Sequence, residues 1–309
     1  MPHGCMAACL ATTLQRLTPL LPPSSHPTSV ERARLTSPAM AQPTVLVFAS
    51  QKGGVGKTTV ATGIASVLGA RAAAKGKRVL MVDLDPQHHA TMSLGVRPVE
   101  GSTVGDLLRD WCDGSPLNAA ASVVETDSAG VSLLPAGTAT LARAASDLMR
   151  EPARLSALSD ILATAGSFDA IIVDTPPNLD GLTQTAVATA RGRGGVVGVT
   201  GATPLEISGV LTLQELQRRI LTAMPRSSRW LGVVVNKWDG RRTLSKEMYR
   251  ELVERKLVPI PIVIPVNVRV AELTDGRARI TGFEVDEDGN KVADTSDVFG
   301  AIADRLVKR

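Results

Sequence analysis

The sequence predicts a doubly wound α/β fold, an open and mostly parallel sheet with helices on both faces. Three observations carry this expectation. Short apolar, β-branched runs without alternation have the length of buried strands: Thr44–Ala49, Arg78–Asp83, Val131–Leu134, Ala170–Val173, Gly195–Val199 and Leu231–Val235. Stretches with apolar residues at helical spacing lie between them, notably Val60–Ala74, Leu205–Leu221 and Leu244–Lys256, so parallel neighbours are joined by right-handed crossovers. Of 309 residues, 44% are hydrophobic but only 3% aromatic, so aliphatic side chains fill the core.

Taken in order, residues 1–40 stand apart. They hold six prolines, with Glu31 as the one acid. The apolar stretch Cys5–Leu21 is interrupted by Arg16 and preceded by no base except His3, which makes a poor secretory signal. The segment reads as a disordered extension, or as a start placed upstream of a true start at Met40. Residues 41–309 read as one domain. Toward its end, Pro259, Pro261 and Pro265 predict an edge strand or an extended loop. Glu284–Asn290 ends in a turn signal, and Ser296–Lys308 reads as a closing helix. Cys5, Cys9 and Cys112 form no C-x-x-C pair, which indicates neither a disulfide framework nor a zinc site and suits a reducing cytoplasm. No apolar run reaches the ~18 residues of a membrane span.

Between the first strand and the first helix lies Gln51-Lys52-Gly53-Gly54-Val55-Gly56-Lys57-Thr58-Thr59. The spacing G-x-x-x-x-G-K-[ST] would put its first glycine at Gln51. The remaining glycines let backbone N–H groups turn inward around a phosphate, and the helix presents its positive end to the same anion. In such a loop Lys57 reaches the β- and γ-phosphates and the Thr58 hydroxyl is a magnesium ligand. Strand ends supply carboxylates on the same side: Asp83-Leu84-Asp85-Pro86-Gln87 closes the second strand, and Asp174-Thr175-Pro176-Pro177 follows Phe168–Val173. His88 and His89 are adjacent and do not naturally converge on a metal, so they read as loop or helix-start residues.

The pattern K-G-G-x-G-K-[ST], with the segment RVLMVDLDPQ and the Walker B-like strand ending at Asp174, resembles the deviant Walker A loop of the ParA/MinD family of P-loop NTPases (the SIMIBI type). The similarity is greatest to the ParA/Soj partition type. It runs from Thr44 onward with gaps and is weakest in Leu107–Ala129 and Thr281–Thr295. It implies a slow, partner-stimulated ATPase that uses ATP and Mg2+ and dimerises face to face. Lys52 would reach the phosphates of the other subunit, Asp85 would position the attacking water, and Asp83 and Asp174 would serve the magnesium shell. Lys52, Gly53, Gly54, Val55, Gly56, Lys57, Thr58 and Thr59 would line the phosphates. Where the family usually has Gly-Asn after the glutamine, this chain has His88-His89.

Asn236-Lys237-Trp238-Asp239 admits two readings. N-K-x-D is the guanine-reading motif of GTPases, whose Asp accepts from guanine N1–H and its amino group. A Ras-like GTPase also needs D-x-x-G after its Walker B strand, and Asp174 is followed by Thr-Pro-Pro. The resemblance instead implies that Asn236 touches adenine, with Pro265 and Asn267 of the I-P-x-N-x-R stretch completing the base pocket. From Glu215 to Lys256 eleven Lys/Arg face five Asp/Glu, in a chain of net charge +4. Arg218, Arg219, Arg241, Arg242, Lys246 and Arg250 are the candidate contacts to non-specific DNA, alongside the plain alternative of a solvated basic face. The implied partners are a second copy, DNA and a centromere-binding ParB-like protein, in nucleoid-associated cytoplasm. The rivals are a MinD-like membrane regulator, a GTP-using relative and a ligase built on this fold. A membrane role would use the closing stripe Val298, Phe299, Ile302, Leu306 and Val307 with Lys308-Arg309, but that helix is short and carries few cations, so no stable anchor is expected.

Overall fold

The computed structural model describes residues 42–97, 102–151, 153–190, 194–203, 206–225, 229–266 and 281–307. The readings of residues 1–40, of Asn267, of the helix start at Leu205 and of Lys308-Arg309 lie outside them.

The strands are β1 (Thr44–Ala49), β2 (Val79–Asp83), β3 (Val124–Glu125), β4 (Val131–Leu134), β5 (Ala170–Asp174), β6 (Gly195–Thr200), β7 (Trp230–Trp238), β8 (Pro259–Pro265), β9 (Gly282–Val285) and β10 (Lys291–Thr295). They form one sheet in the order β10-β9-β8-β7-β6-β1-β5-β2-β4-β3. From β4 to β8 every pairing is parallel, and antiparallel strands close both margins. The helices are α1 (Lys57–Ala73), α2 (His89–Ser93), α3 (Val104–Cys112), α4 (Thr138–Leu148), α5 (Ala157–Leu162), α6 (Gly181–Thr189), α7 (Ile207–Ala223), α8 (Thr243–Glu254) and α9 (Val298–Val307).

Strand β1 shows why both faces are covered. Val45, Val47 and Ala49 join a core with α3–α7 residues such as Leu108, Leu141, Leu158, Val187 and Leu213. Leu46 and Phe48 point the other way, into a core with Ile64 of α1 and Phe299 of α9. A period of two on a strand buried from both sides produces this division. A third cluster beneath α8 gathers Val233, Val235, Trp238, Met248 and Tyr249. The doubly wound expectation therefore holds, and β1 sits where the strand order reverses, between β5 and β6. In open α/β sheets that switch point places a ligand crevice at the strands' carboxyl ends.

The proline-rich run departs from expectation. It forms β8, which is interior and not an edge: β7 lies on one side and β9 on the other. The prolines are tolerated because β9 pairs with Ile262 and Val263, and because the β7–β8 register shifts along the strand. The closing helix buries Val298, Phe299, Ile302 and Leu306 against the core, so most of its apolar stripe faces inward.

Candidate functional site

The phosphate loop leaves β1 at Ala49 and enters α1 at Lys57. Gly54 (φ 75°) and Gly56 (φ 87°) hold left-handed backbone, which a β-carbon disfavours. At Gly56 the space is also closed, since a Cβ would lie 2.1 Å from Asn236 Nδ2. Gly56 caps α1 with its backbone, so the helix starts inside the loop, three residues before the apolar spacing begins.

Three residues distant in sequence meet here. Lys57 Nζ donates to Asp174 Oδ1 at 2.6 Å, and Thr58 Oγ1 donates to Asp174 Oδ2 at 2.6 Å. Asp174 ends β5 in register with Phe48 of β1 and Asp83 of β2. Asp83 is wholly buried beside it. Burial first, and then the charge of Asp174, push the Asp83 carboxyl up to about 7, against partial relief from its hydrogen-bond donors. Those donors are the Asp85 backbone N–H at 3.0 Å, and the Thr91 N–H and hydroxyl at 2.8 and 2.7 Å. Asp85 is 5% exposed and accepts from the Gln87 N–H at 3.0 Å.

This donor set fits a magnesium-bound nucleotide. Two buried carboxylates lie side by side and the one lysine at the site pairs with Asp174 alone, an arrangement that a hard divalent cation suits, with the Thr58 hydroxyl as a further oxygen beside them. The left-handed glycines and the start of α1 form the anion cradle.

Beyond the loop, a cavity of about 630 Å³ is lined by Gly201, Glu206, Lys237, Trp238, Asp239 and Pro265 among others. Its size suits a small organic ligand. Pro265, expected at the base pocket, is among the cavity's lining residues. Asn236 does not line the cavity: it is buried under the loop, and its Nδ2 donates to the Val55 carbonyl at 2.8 Å. Lys237, with φ 55°, reaches back to the Gly54 carbonyl at 2.6 Å. Asp239 is engaged by Arg242 Nε at 3.1 Å and by Arg241 Nε at 3.6 Å.

The candidate DNA contacts are dispersed in their commitments. Arg218 and Arg219 lie exposed on α7. Arg241 and Arg242 are 97% and 71% exposed despite their bonds to Asp239. Lys246 donates to Asn290 Oδ1 at 2.9 Å, and Arg250 pairs with Asp288 at 3.3 Å. Lys52 is exposed at the mouth of the loop. His88 caps the short helix α2 and His89 is its first residue, and no group of three or more His, Cys, Asp or Glu able to hold a metal occurs among the described residues.

Sequence reasoning did not foresee the contacts that Thr91, Lys237, Arg241 and Arg242 make. A threonine eight positions beyond Asp83 carries no spacing signature; only the turn into α2 brings it back. The N-K-x-D string named Lys237 and Asp239, but their partners come from tertiary geometry.

The comparisons with known proteins agree with this geometry. The family described as AAA domain matches residues 43–221. The chromosome-partitioning ATPase Soj of Thermus thermophilus is 38% identical over 228 residues, covering 74% of this chain and 83% of that protein. The chromosome partitioning protein ParA of Caulobacter vibrioides is 32% identical, covering 74% of this chain and 82% of that one. Among solved structures, cobyrinic acid a,c-diamide synthase from Mycobacterium smegmatis, with a bound ATP analog and magnesium, aligns with a TM-score of 0.61 at 29% identity over 85% of this chain and 92% of that chain. Cyanothece McdA, in an ATP complex, shares the fold with a TM-score of 0.66 at 22% identity over 76% of this chain and 88% of that one. With a lysine-bearing phosphate loop, a Walker B aspartate and partition ATPases as relatives, the chain belongs to the ParA/Soj family of P-loop partition ATPases.

Proposed function

We propose that this ATPase is a dimerising switch for DNA partition, in which ATP closes two protomers face to face and hydrolysis reopens them. The observation that carries this is the convergence of Lys57 and Thr58 on Asp174, with Lys52 exposed at the loop's mouth. On nucleotide binding Lys57 would exchange Asp174 for the β- and γ-phosphates, and Thr58, Asp83 and Asp174 would hold the cation. Magnesium, when bound, neutralises charge on the phosphate oxygens. Asp85 orients the attacking water, and Lys52 crosses to the partner's phosphates, a cation at developing charge in the manner of an arginine finger. Gly53, Gly54, Val55, Gly56 and Thr59 complete the cradle.

Adenine is the base. Asp239 would be the guanine reader, and its carboxylate is already ion-paired with Arg241 and Arg242. In this reading Asn236 supports the loop from below, while Pro265 and Asn267 flank the base.

The ATP dimer binds duplex DNA without sequence preference, on the nucleoid, and a centromere-binding ParB-like protein stimulates its release. One protomer offers few phosphate contacts and a dimer doubles them, so binding needs ATP and falls steeply with salt. The test is retardation of random duplex DNA with ATP, ADP or GTP. A shift is expected with ATP alone, and it is lost when Arg218, Arg219, Arg241 and Arg242 are all changed to Ala. Retardation without nucleotide, or unchanged in the fourfold variant, contradicts the reading. An equal shift with GTP contradicts the choice of base.

A further inference from the structure

The turn that carries Asp85 is fastened to a second loop by one side chain. His88 holds left-handed backbone, with φ 54° and ψ 22°. That conformation is uncommon for a residue with a β-carbon, although histidine enters it more readily than most, and it is natural for glycine. The ring makes no capping bond to its own helix α2. It reaches out to the β4–α4 loop instead. Nδ1 lies 3.2 Å from the Ala136 carbonyl oxygen, and Nε2 meets the Thr138 hydroxyl. A carbonyl only accepts, so Nδ1 is the donor, and the hydroxyl can complete the second bond in either direction.

The same loop touches the aspartates by another route. The Ala136 N–H donates to Thr91 Oγ1 at 3.4 Å, and Thr91 donates to Asp83. On its own side, the His88 N–H donates to the Asp85 carbonyl at 3.0 Å. Asp85 thus sits in a turn anchored at one end by β2 and at the other by the half-buried imidazole.

We propose that His88 is a positioning residue for Asp85: by clasping the β4–α4 loop, its ring fixes the turn and so the aim of the Asp85 carboxylate. This rests on Asp85 as the water-orienting group. The imidazole acts through the turn and not on the reacting atoms. A displacement of about 1 Å at a catalytic group can slow the chemical step by up to two orders of magnitude without weakening ground-state binding.

The experiment compares wild type with His88→Gly, Thr138→Val, the double variant and Asp85→Ala. Single-turnover ATP hydrolysis is measured at saturating ATP and Mg2+, and affinity by titration with a fluorescent ATP analogue. Glycine suits the left-handed backbone, so His88→Gly keeps the fold while removing the ring. The expected result is a fall in hydrolysis rate of about tenfold in His88→Gly and in Thr138→Val, with affinity within about twofold of wild type. The double variant should be no slower than His88→Gly, because removing the ring already removes its contact with Thr138. An unchanged or faster His88→Gly overturns the proposal, as does loss of affinity alongside rate, or an additive double variant. Unchanged hydrolysis in Asp85→Ala would instead overturn the role of Asp85 on which the proposal stands.

Discussion

At the scale of single residues, the site is a problem in buried charge. Lys57 and Asp174 form an ion pair at 2.6 Å with side chains 6% and 0% exposed. Removing one partner strands the other charge, at a cost of about 3–5 kcal/mol. Lys57→Ala should therefore abolish nucleotide binding and also lower the stability of the nucleotide-free protein in urea, and adding Asp174→Asn should restore the stability but not the binding. Undiminished stability in Lys57→Ala would show that the pair contributes nothing to the resting fold. Asp83 supplies a second test. Its carboxyl is raised from 3.8 to about 7 in the folded protein, chiefly by burial. Between those values the folded chain holds a proton that the unfolded chain has released. This group's contribution is thus present at low pH and lost as pH rises toward 7, with a slope of at most about 1.4 kcal/mol per pH unit. Above that range it is flat. The difference in stability between wild type and Asp83→Asn, followed from pH 4 to 8, should show this decline, and a difference independent of pH would contradict it.

At the scale of elements, the parallel strands and the long helices were legible because a strand buried on both faces reads as an unbroken apolar run and a helix repeats near 3.6 residues. Thr44–Ala49 and Val131–Leu134 match the structure to the residue. The margins were not legible. β3 has two residues, and β10 is almost wholly exposed, so neither has a hydrophobic pattern to read. Prolines misdirected the reading of β8, whose interior place depends on where β9 pairs. The phosphate loop and both acidic strand ends were legible from residue type and spacing, whereas the clasp of His88 on Ala136 and Thr138 needed the fold to join segments about fifty positions apart. The seat of α9 gives this scale its prediction. A Cβ on Gly63 of α1 would lie 2.8 Å from the Phe299 ring. Gly63→Ala should cost about 1–3 kcal/mol by overpacking, measured by thermal unfolding, and Phe299→Leu in the same chain should recover part of it. An additive double variant would mean that the two residues do not share the contact.

At the scale of the whole molecule, the sheet gathers the phosphate loop, the two aspartate-bearing strand ends and the cavity beside Pro265 toward the carboxyl ends of its parallel strands. Lys52 stands exposed at the same end, away from the buried Lys57–Asp174 pair. Two lysines within six positions thus have opposite environments, and in the proposed reading one serves the chain's own nucleotide and the other meets a second protomer. A switch follows if nucleotide binding within a protomer and closure between protomers are separate events. The direct test is light scattering of wild type and Lys52→Ala with ATP and Mg2+, alongside nucleotide titration of each. Wild type should take the mass of a dimer only with ATP, while Lys52→Ala should bind ATP with similar affinity and remain a monomer. Equal dimerisation of the two, or a wild type that stays monomeric with ATP bound, would contradict the account.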